Sequence, residues 1–205
     1  MPGYRCNREQ NKDHKNRGTI EDHRSAKVNP ANERRNEMAA TIQLHEMSAL
    51  DAGGDKTSGI VRFKDADNAV VDLNNPLVIP AAGSIYSYSK KLRAYMEAPP
   101  DTQIGNLRWY TDGANGFGAG VTAKAKNLGV TWGANYKTEM AAGSDLFGYS
   151  SGSPLDGDGT DTGPFDSGDD DTYIGDLIEL QMAIASTASH GSLTAEVLTF
   201  SWDEI

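Results

Sequence analysis

The sequence predicts an all-β protein, an antiparallel β-sandwich of jelly-roll or immunoglobulin-like type with a polar N-terminal extension. Three observations lead there. Apolar residues recur at every second position rather than every third or fourth. Gly, Pro, Asn and Asp punctuate the runs at short intervals. No segment of ten or more residues carries an apolar stripe at helical spacing. Runs with one wet and one dry face are the pattern of antiparallel sheets packed face to face.

Residues 1–37 stand apart from this pattern. They hold nine Lys/Arg against six Asp/Glu and almost no bulky apolar side chain. Such a stretch buries too little to offset its ordering entropy, so it reads as a flexible arm or as a misassigned start ahead of Met38. Residues 38–205 read as the sandwich domain, and their balance is reversed, with ten Lys/Arg against twenty-three Asp/Glu. Six acids dilute the basic arm and no aromatics interleave with its charges, which argues against nucleic acid as a partner. No apolar run of about 18 residues offers a helical membrane span, and the N-terminus lacks the apolar core of a secretory signal. The one cysteine, Cys6, excludes an internal disulfide.

From Met38 onward the strands follow in order. Ile42 and Leu44 mark the first, with His45 facing outward beside Gln43. Val61 and Phe63, then Val71 and Leu73, suggest two short strands. In "LRAYMEA" Leu92, Ala94 and Met96 alternate with Arg93, Tyr95 and Glu97. Pro99-Pro100-Asp101 makes a turn. In "GNLRWYT" Leu107 and Trp109 alternate with Asn106, Arg108 and Tyr110. Val121 and Ala123, then Val130 and Trp132, continue the series. "DLIELQMAI" places Ile178, Leu180, Met182 and Ile184 inward and Glu179 and Gln181 outward; "EVLTFSWDE" places Leu198, Phe200 and Trp202 inward. Trp109, Trp132, Phe200 and Trp202 are the expected core anchors.

Residues 144–172 form one long acidic loop in this reading, and long connections of this kind are functional or disordered. Asp156, Asp158 and Thr160 sit at alternate positions of "DGDGTDTG" and are the candidate metal ligands, for calcium, because hard cations take several oxygens. The match to an EF-hand fails at Asp161, where Gly is needed, and at Ser167, where a bidentate Glu is needed. The default is therefore a solvated, flexible loop, with calcium the one cofactor left open.

The sequence does not read as an enzyme. "GYSSG" places Ser150 in a nucleophile-elbow pattern, with Asp176 and His190 downstream. An elbow needs a helix after the serine, and Pro154 followed by Gly and Asp cannot supply one. "GANGFGAG" lacks the ending of a phosphate loop, and the four histidines form no zinc-spaced pair. The aspartates of a wet loop lack the separated environments that acid–base catalysis needs.

"KKLRAYMEAPPDTQIGNLRWYTDG" (residues 90–113), "LFGYSSGSPL" (146–155) and "LIELQMAIASTASHGSLTAEVLTFSWDEI" (177–205) resemble blocks of small virion structural proteins of tailed bacteriophages. The resemblance covers most of residues 38–205 and carries no catalytic motif. It implies a virion component, first of all a decoration or cement protein on the assembled capsid. Its partners would be the major capsid protein or other virion proteins, and the chain would form a homo-oligomer. A neck or tail position, or a carbohydrate-binding module that meets the host, are the alternatives. Arg93, Tyr95, Arg108 and Tyr110 are the candidate partner-binding residues, because long donors beside rings are enriched at interfaces. An ordinary outward sheet face reads the same way.

Overall fold

The structure, a computed structural model, describes residues 39–48, 52–57, 59–191 and 193–204. The expected N-terminal arm lies outside the described residues. The elements are β1 (Thr41–Met47), β2 (Ala52–Asp55), β3 (Ser84–Tyr86), β4 (Lys90–Ala98), β5 (Gln103–Tyr110), β6 (Val121–Asn127), β7 (Ser144–Asp145), β8 (Leu155–Asp156), β9 (Phe165–Asp166), β10 (Thr172–Ala185) and β11 (Thr199–Glu204). Among the described residues one 3-10 turn, Leu146–Gly148, interrupts them, and these residues hold no α-helix.

The protein is all-β, with two antiparallel sheets packed on each other. The larger has seven strands in the order β2-β1-β4-β10-β6-β7, with β3 also on β10. The smaller is β11-β5-β8, with β9 on the remaining length of β5. The Pro99-Pro100-Asp101 turn lies between the end of β4 and the start of β5, where the chain passes from the larger sheet to the smaller.

Alternation fixes what lies between the sheets. Ile42 pairs with Met96, Leu44 with Ala94, Leu180 with Lys90 and Ala125, and this face of the large sheet is apolar over most of its length. Leu92, Ala123, Ala125, Ile178 and Leu180 meet Trp109 and Leu155 of the small sheet in one buried cluster. Ile42, Ala94, Met96 and Ile174 meet Ile104, Leu107 and Phe165 in a second. Trp109, 1% exposed, packs against Phe200 with ring centroids 4.7 Å apart.

β10 is the spine of the large sheet, and its register breaks between Ile174 and Ile178. Gly175 sits in this break with φ +64°, and a Cβ there would lie 2.4 Å from Leu107 Cδ1 and 2.6 Å from Gly157 O. Only glycine supplies both the left-handed backbone and the close approach of the two layers.

Four expectations are corrected. Residues 144–172 are not a solvated loop. They contain β7, β8 and β9, and Leu146, Phe147, Leu155 and Phe165 are core residues. Trp132 is not a core anchor but 45% exposed. The segment after β6 bonds to the β10 break through Leu128 N to Leu177 O and Leu177 N to Gly129 O, which carries Val130 and Trp132 outward. Val61, Phe63, Val71 and Leu73 lie in irregular chain rather than strands; Asp72 and the Asn74-Asn75-Pro76 run break the short alternation. Finally, the outward face of the large sheet is not simply wet: Lys91, Glu179 and Gln181 are buried on it.

Candidate functional site

The outer face of the large sheet is roofed at one end by residues 134–141. Gln181 points outward from β10 and ties this roof down. Its Oε1 accepts from Met140 N at 2.7 Å, and its Nε2 donates to Thr138 O at 2.8 Å and Ser87 O at 3.0 Å. Beside it Glu179 accepts from Tyr136 Oη at 2.8 Å and pairs with Lys126 at 3.0 Å. Lys91 Nζ lies 3.2 Å from Glu179 Oε1, off the hydrogen-bonding direction, and donates to Asn135 Oδ1 at 2.7 Å and Ala134 O at 3.1 Å. A buried charge is tolerated only when paired and hydrogen-bonded, and this arrangement supplies both.

At the other end of that face stand Arg93 and Tyr95. Tyr95 stacks on His45 at 4.6 Å and 12°, and Tyr173 meets both rings edge-on, at 5.1 Å and 5.5 Å. The His45 ring nitrogens lie 3.2 Å from Tyr173 Oη and 2.9 Å from Gln43 Oε1. Burial pushes the imidazole below its ordinary value, against the raising effect of Asp55. Arg93 donates to Gly175 O at 2.8 Å and to Asp161 at 3.1 Å, and Tyr95 donates to Asp171 at 3.3 Å. Both side chains therefore bind the acidic segment of their own chain. The sequence does not announce this, because the partners are 68 and 76 residues away.

Arg108 and Tyr110 lie on the outer face of the small sheet, so the two Arg/Tyr pairs look away from each other across the sandwich and cannot form one patch. Arg108 pairs with Asp203, and Asn106 donates to the same carboxylate at 3.0 Å. Asn106 first, then Arg108, hold Asp203 below its ordinary range. Tyr110 lines a shallow cavity of about 250 Å³ with Thr111, Asp112, Ser150, Ser151, Val197 and Thr199.

Asp176, 2% exposed, organises the acidic segment. Its carboxylate accepts from Thr160 N and Asp161 N at 2.9 Å each and from Asn127 Nδ2 at 2.8 Å. The sequence reading missed this role, although Gly175 inside a strand pattern is a signal of a bulge. The carboxylate therefore serves backbone amides, while His190 is exposed in a turn. Asp156 and Asp158 come together: Asp156 Oδ1 accepts from Asp158 N at 3.0 Å, and Asp158 Oδ2 accepts from Leu107 N at 3.0 Å. They line a cavity of about 520 Å³ with Gln103, Asn106, Thr162 and Pro164. Thr160 turns elsewhere, its Oγ1 close to the backbone of Gly129. Among the described residues no group of three or more His, Cys, Asp or Glu is placed to share a metal ion.

Several large apolar side chains are left exposed among the described residues. Leu73, Val197, Val78 and Ile60 are 79%, 75%, 69% and 62% exposed, and Val70, Val71, Val130 and Trp132 are exposed as well. No described helix is long and apolar enough to cross a membrane. Compared with known proteins, the chain matches no family model, no curated protein and no solved structure.

Proposed function

We propose that the chain is a structural protein of a tailed-phage virion, and in particular a decoration or cement protein that docks on the assembled head. The observation that carries this reading is the division of labour among side chains. Lys91, Glu179, Gln181, Arg93, Tyr95, Arg108 and Asp176 are engaged in holding their own fold. Large apolar side chains such as Leu73 and Trp132 are left outside. Large apolar side chains left exposed on irregular segments are the candidates for a contact surface. A protein that binds the assembled lattice and not its separate parts stabilises it by mass action. The resemblance of residues 90–113, 146–155 and 177–205 to virion proteins supports the same reading.

The carbohydrate-binding alternative needs an open aromatic face. Tyr95 has one face covered by His45, which leaves Tyr110 as the ring for that reading.

Purified virions, separated into heads and tails and probed by quantitative mass spectrometry, test the proposal. The expected result is the chain in the head fraction at a fixed ratio to the capsid subunit. Its presence in tails alone moves it to the tail, and its absence from both fractions rejects the virion reading.

A further inference from the structure

Asn135 Oδ1 lies 2.7 Å from Lys91 Nζ, and Glu179 Oε1 lies 3.2 Å from the same nitrogen. An amine, a primary amide and a carboxylate thus converge inside the protein. The Lys91 and Glu179 side chains are 2% and 1% exposed, and Asn135 is buried. Glu179 Oε2 is occupied by Tyr136 and Lys126, whereas Oε1 makes no hydrogen bond. Asn135 is held from its other end, where Nδ2 donates to Asp67 Oδ1 at 2.7 Å.

Other lysines are engaged differently. Lys56, Lys64 and Lys90 donate to the backbone carbonyls of Ala69, Val70 and Asn68. A backbone carbonyl has no leaving group but the chain itself, whereas a side-chain amide can release ammonia. Attachment of the roof does not require the trio either, because Gln181 already holds Met140 and Thr138.

We propose that Lys91 and Asn135 join spontaneously in an isopeptide bond, with Glu179 as the catalytic base and acid. The ion pair seen here is the state before linking, and the proposal does not depend on the virion reading. Lys91 Nζ passes a proton to Glu179 Oε1, which exchanges two buried charges for two neutral groups and frees the nitrogen lone pair. Nζ then adds to Cγ of Asn135. A carbonyl bond is about 1.2 Å long, so Nζ already lies within about 3.9 Å of that carbon. Side-chain rotation brings it to the near-attack range of about 3–3.5 Å. The Nζ–Cγ bond forms, the Cγ–Nδ2 bond breaks, and Glu179 hands its proton to the departing Nδ2. Of the three Nζ protons one stays on the new amide and two leave with Nδ2 as ammonium, so Glu179 is again a carboxylate. The balance needs no oxidant and no second substrate. Asp67, half-buried, accepts from Nδ2 and marks the exit toward solvent. The link ties β4 to the roof and closes a covalent loop over residues 91–135, which contains β5 and β6. Closing such a loop limits the freedom of the unfolded chain.

The test is mass spectrometry of the denatured full-length chain, followed in time after cell-free synthesis and completed by peptide mapping. The wild type should become lighter than its sequence by one ammonia, yield a branched peptide joining Lys91 to Asn135, and run faster than Lys91→Arg in a denaturing gel. Lys91→Arg and Asn135→Ala should keep their full mass. Glu179→Gln should link about a hundredfold or more slowly. That variant also weakens the fold, so Glu179→Asp serves beside it: it keeps the charge, withdraws it from Nζ, and should link slowly while retaining the wild-type circular dichroism. Full mass in the wild type, with Lys91 and Asn135 in separate peptides, overturns the proposal. Loss of ammonia without the branched peptide assigns the change to a succinimide at Asn115-Gly116 and overturns it equally. Linking of both Glu179 variants at the wild-type rate overturns the role of Glu179. The reading of the chain as a virion protein stands or falls separately, on its presence in particles.

Discussion

Lys91 and Glu179 stand 3.2 Å apart beneath residues 134–141, with side chains 2% and 1% exposed. A period-two strand pattern assigns both to an outer, wet face. The outer assignment is correct and the wet one is not, because a distant segment covers them. The pair therefore behaves as core, with the energetics of buried charge.

Glu179→Gln should be strongly destabilising. It keeps the shape but leaves Lys91 buried without its counter-charge, a change that costs about 3–5 kcal/mol. Urea denaturation gives the number. The double variant Lys91→Met/Glu179→Leu should recover part of the loss, because it removes the unpaired ammonium, but not all of it, because Tyr136 and Lys126 lose their acceptor. A single variant as stable as the wild type would show that the roof does not seal the pair from water.

The same carboxylate gives a pH dependence. Burial pushes Glu179 up, but hydrogen bonds from Tyr136, Lys126 and Ser89 and the charge of Lys91 bring it below its ordinary value of 4.5. An acid whose folded value is depressed contributes stability that is complete above the unfolded value and is lost as pH falls through the folded one. The wild-type melting temperature should therefore drop as the pH is taken below 4.5. Glu179→Gln should lose less over that window, since the amide does not titrate. Parallel curves for the two proteins would remove Glu179 as the source.

What could be read from the sequence was local. Alternation placed Leu92, Ala94, Met96, Leu107, Trp109, Ile178 and Leu180 inside, and they are there. Strands of eight to fourteen residues give enough repeats for a period of two to be unambiguous. Val130 and Trp132 offered only one repeat before Gly133, and the same pattern there belongs to an exposed connection. The covering of Glu179 and Gln181, the capture of Arg93 by Asp161 and the three lysines under residues 68–70 all join distant parts of the chain. No local period encodes such contacts. The acidic segment misled for a related reason: its many aspartates suggested solvent, while Leu146, Phe147, Leu155 and Phe165 between them supplied the burial.

Asp176→Ala should loosen the acidic segment without dissolving the sandwich. Three donors, Thr160 N, Asp161 N and Asn127 Nδ2, lose a shared acceptor. Hydrogen bonds to a charged group contribute about 1.5–3 kcal/mol each at most, and water replaces part of that, so a net loss of about 2–4 kcal/mol is expected. Hydrogen exchange should speed up across residues 157–166 while the amides of β4 and β6 stay protected. Uniform acceleration through both sheets would mean that Asp176 supports the whole fold.

Asp158 makes the opposite kind of carboxylate. Burial raises it above its ordinary value of 3.8; the Leu107 amide opposes this and neighbouring Asp156 adds to it. An acid with a raised folded value holds its proton longer in the native state, so stability declines as pH rises from 3.8 through the folded value. Asp158→Asn should then stabilise the protein at neutral pH, because its side-chain oxygen still accepts from Leu107 N and its amide can donate to Asp156. The group is only partly buried and is screened by solvent, so the gain should not exceed about 1 kcal/mol. Denaturant midpoints at neutral pH and below 3.8 measure it, and the gain should vanish at the acid value, where Asp158 is itself neutral. Added calcium gives a second readout of the same pair. If the two carboxylates hold the ion between them, calcium should stabilise the wild type and not Asp158→Asn. If they only repel, Asp158→Asn should exceed the wild type with or without calcium.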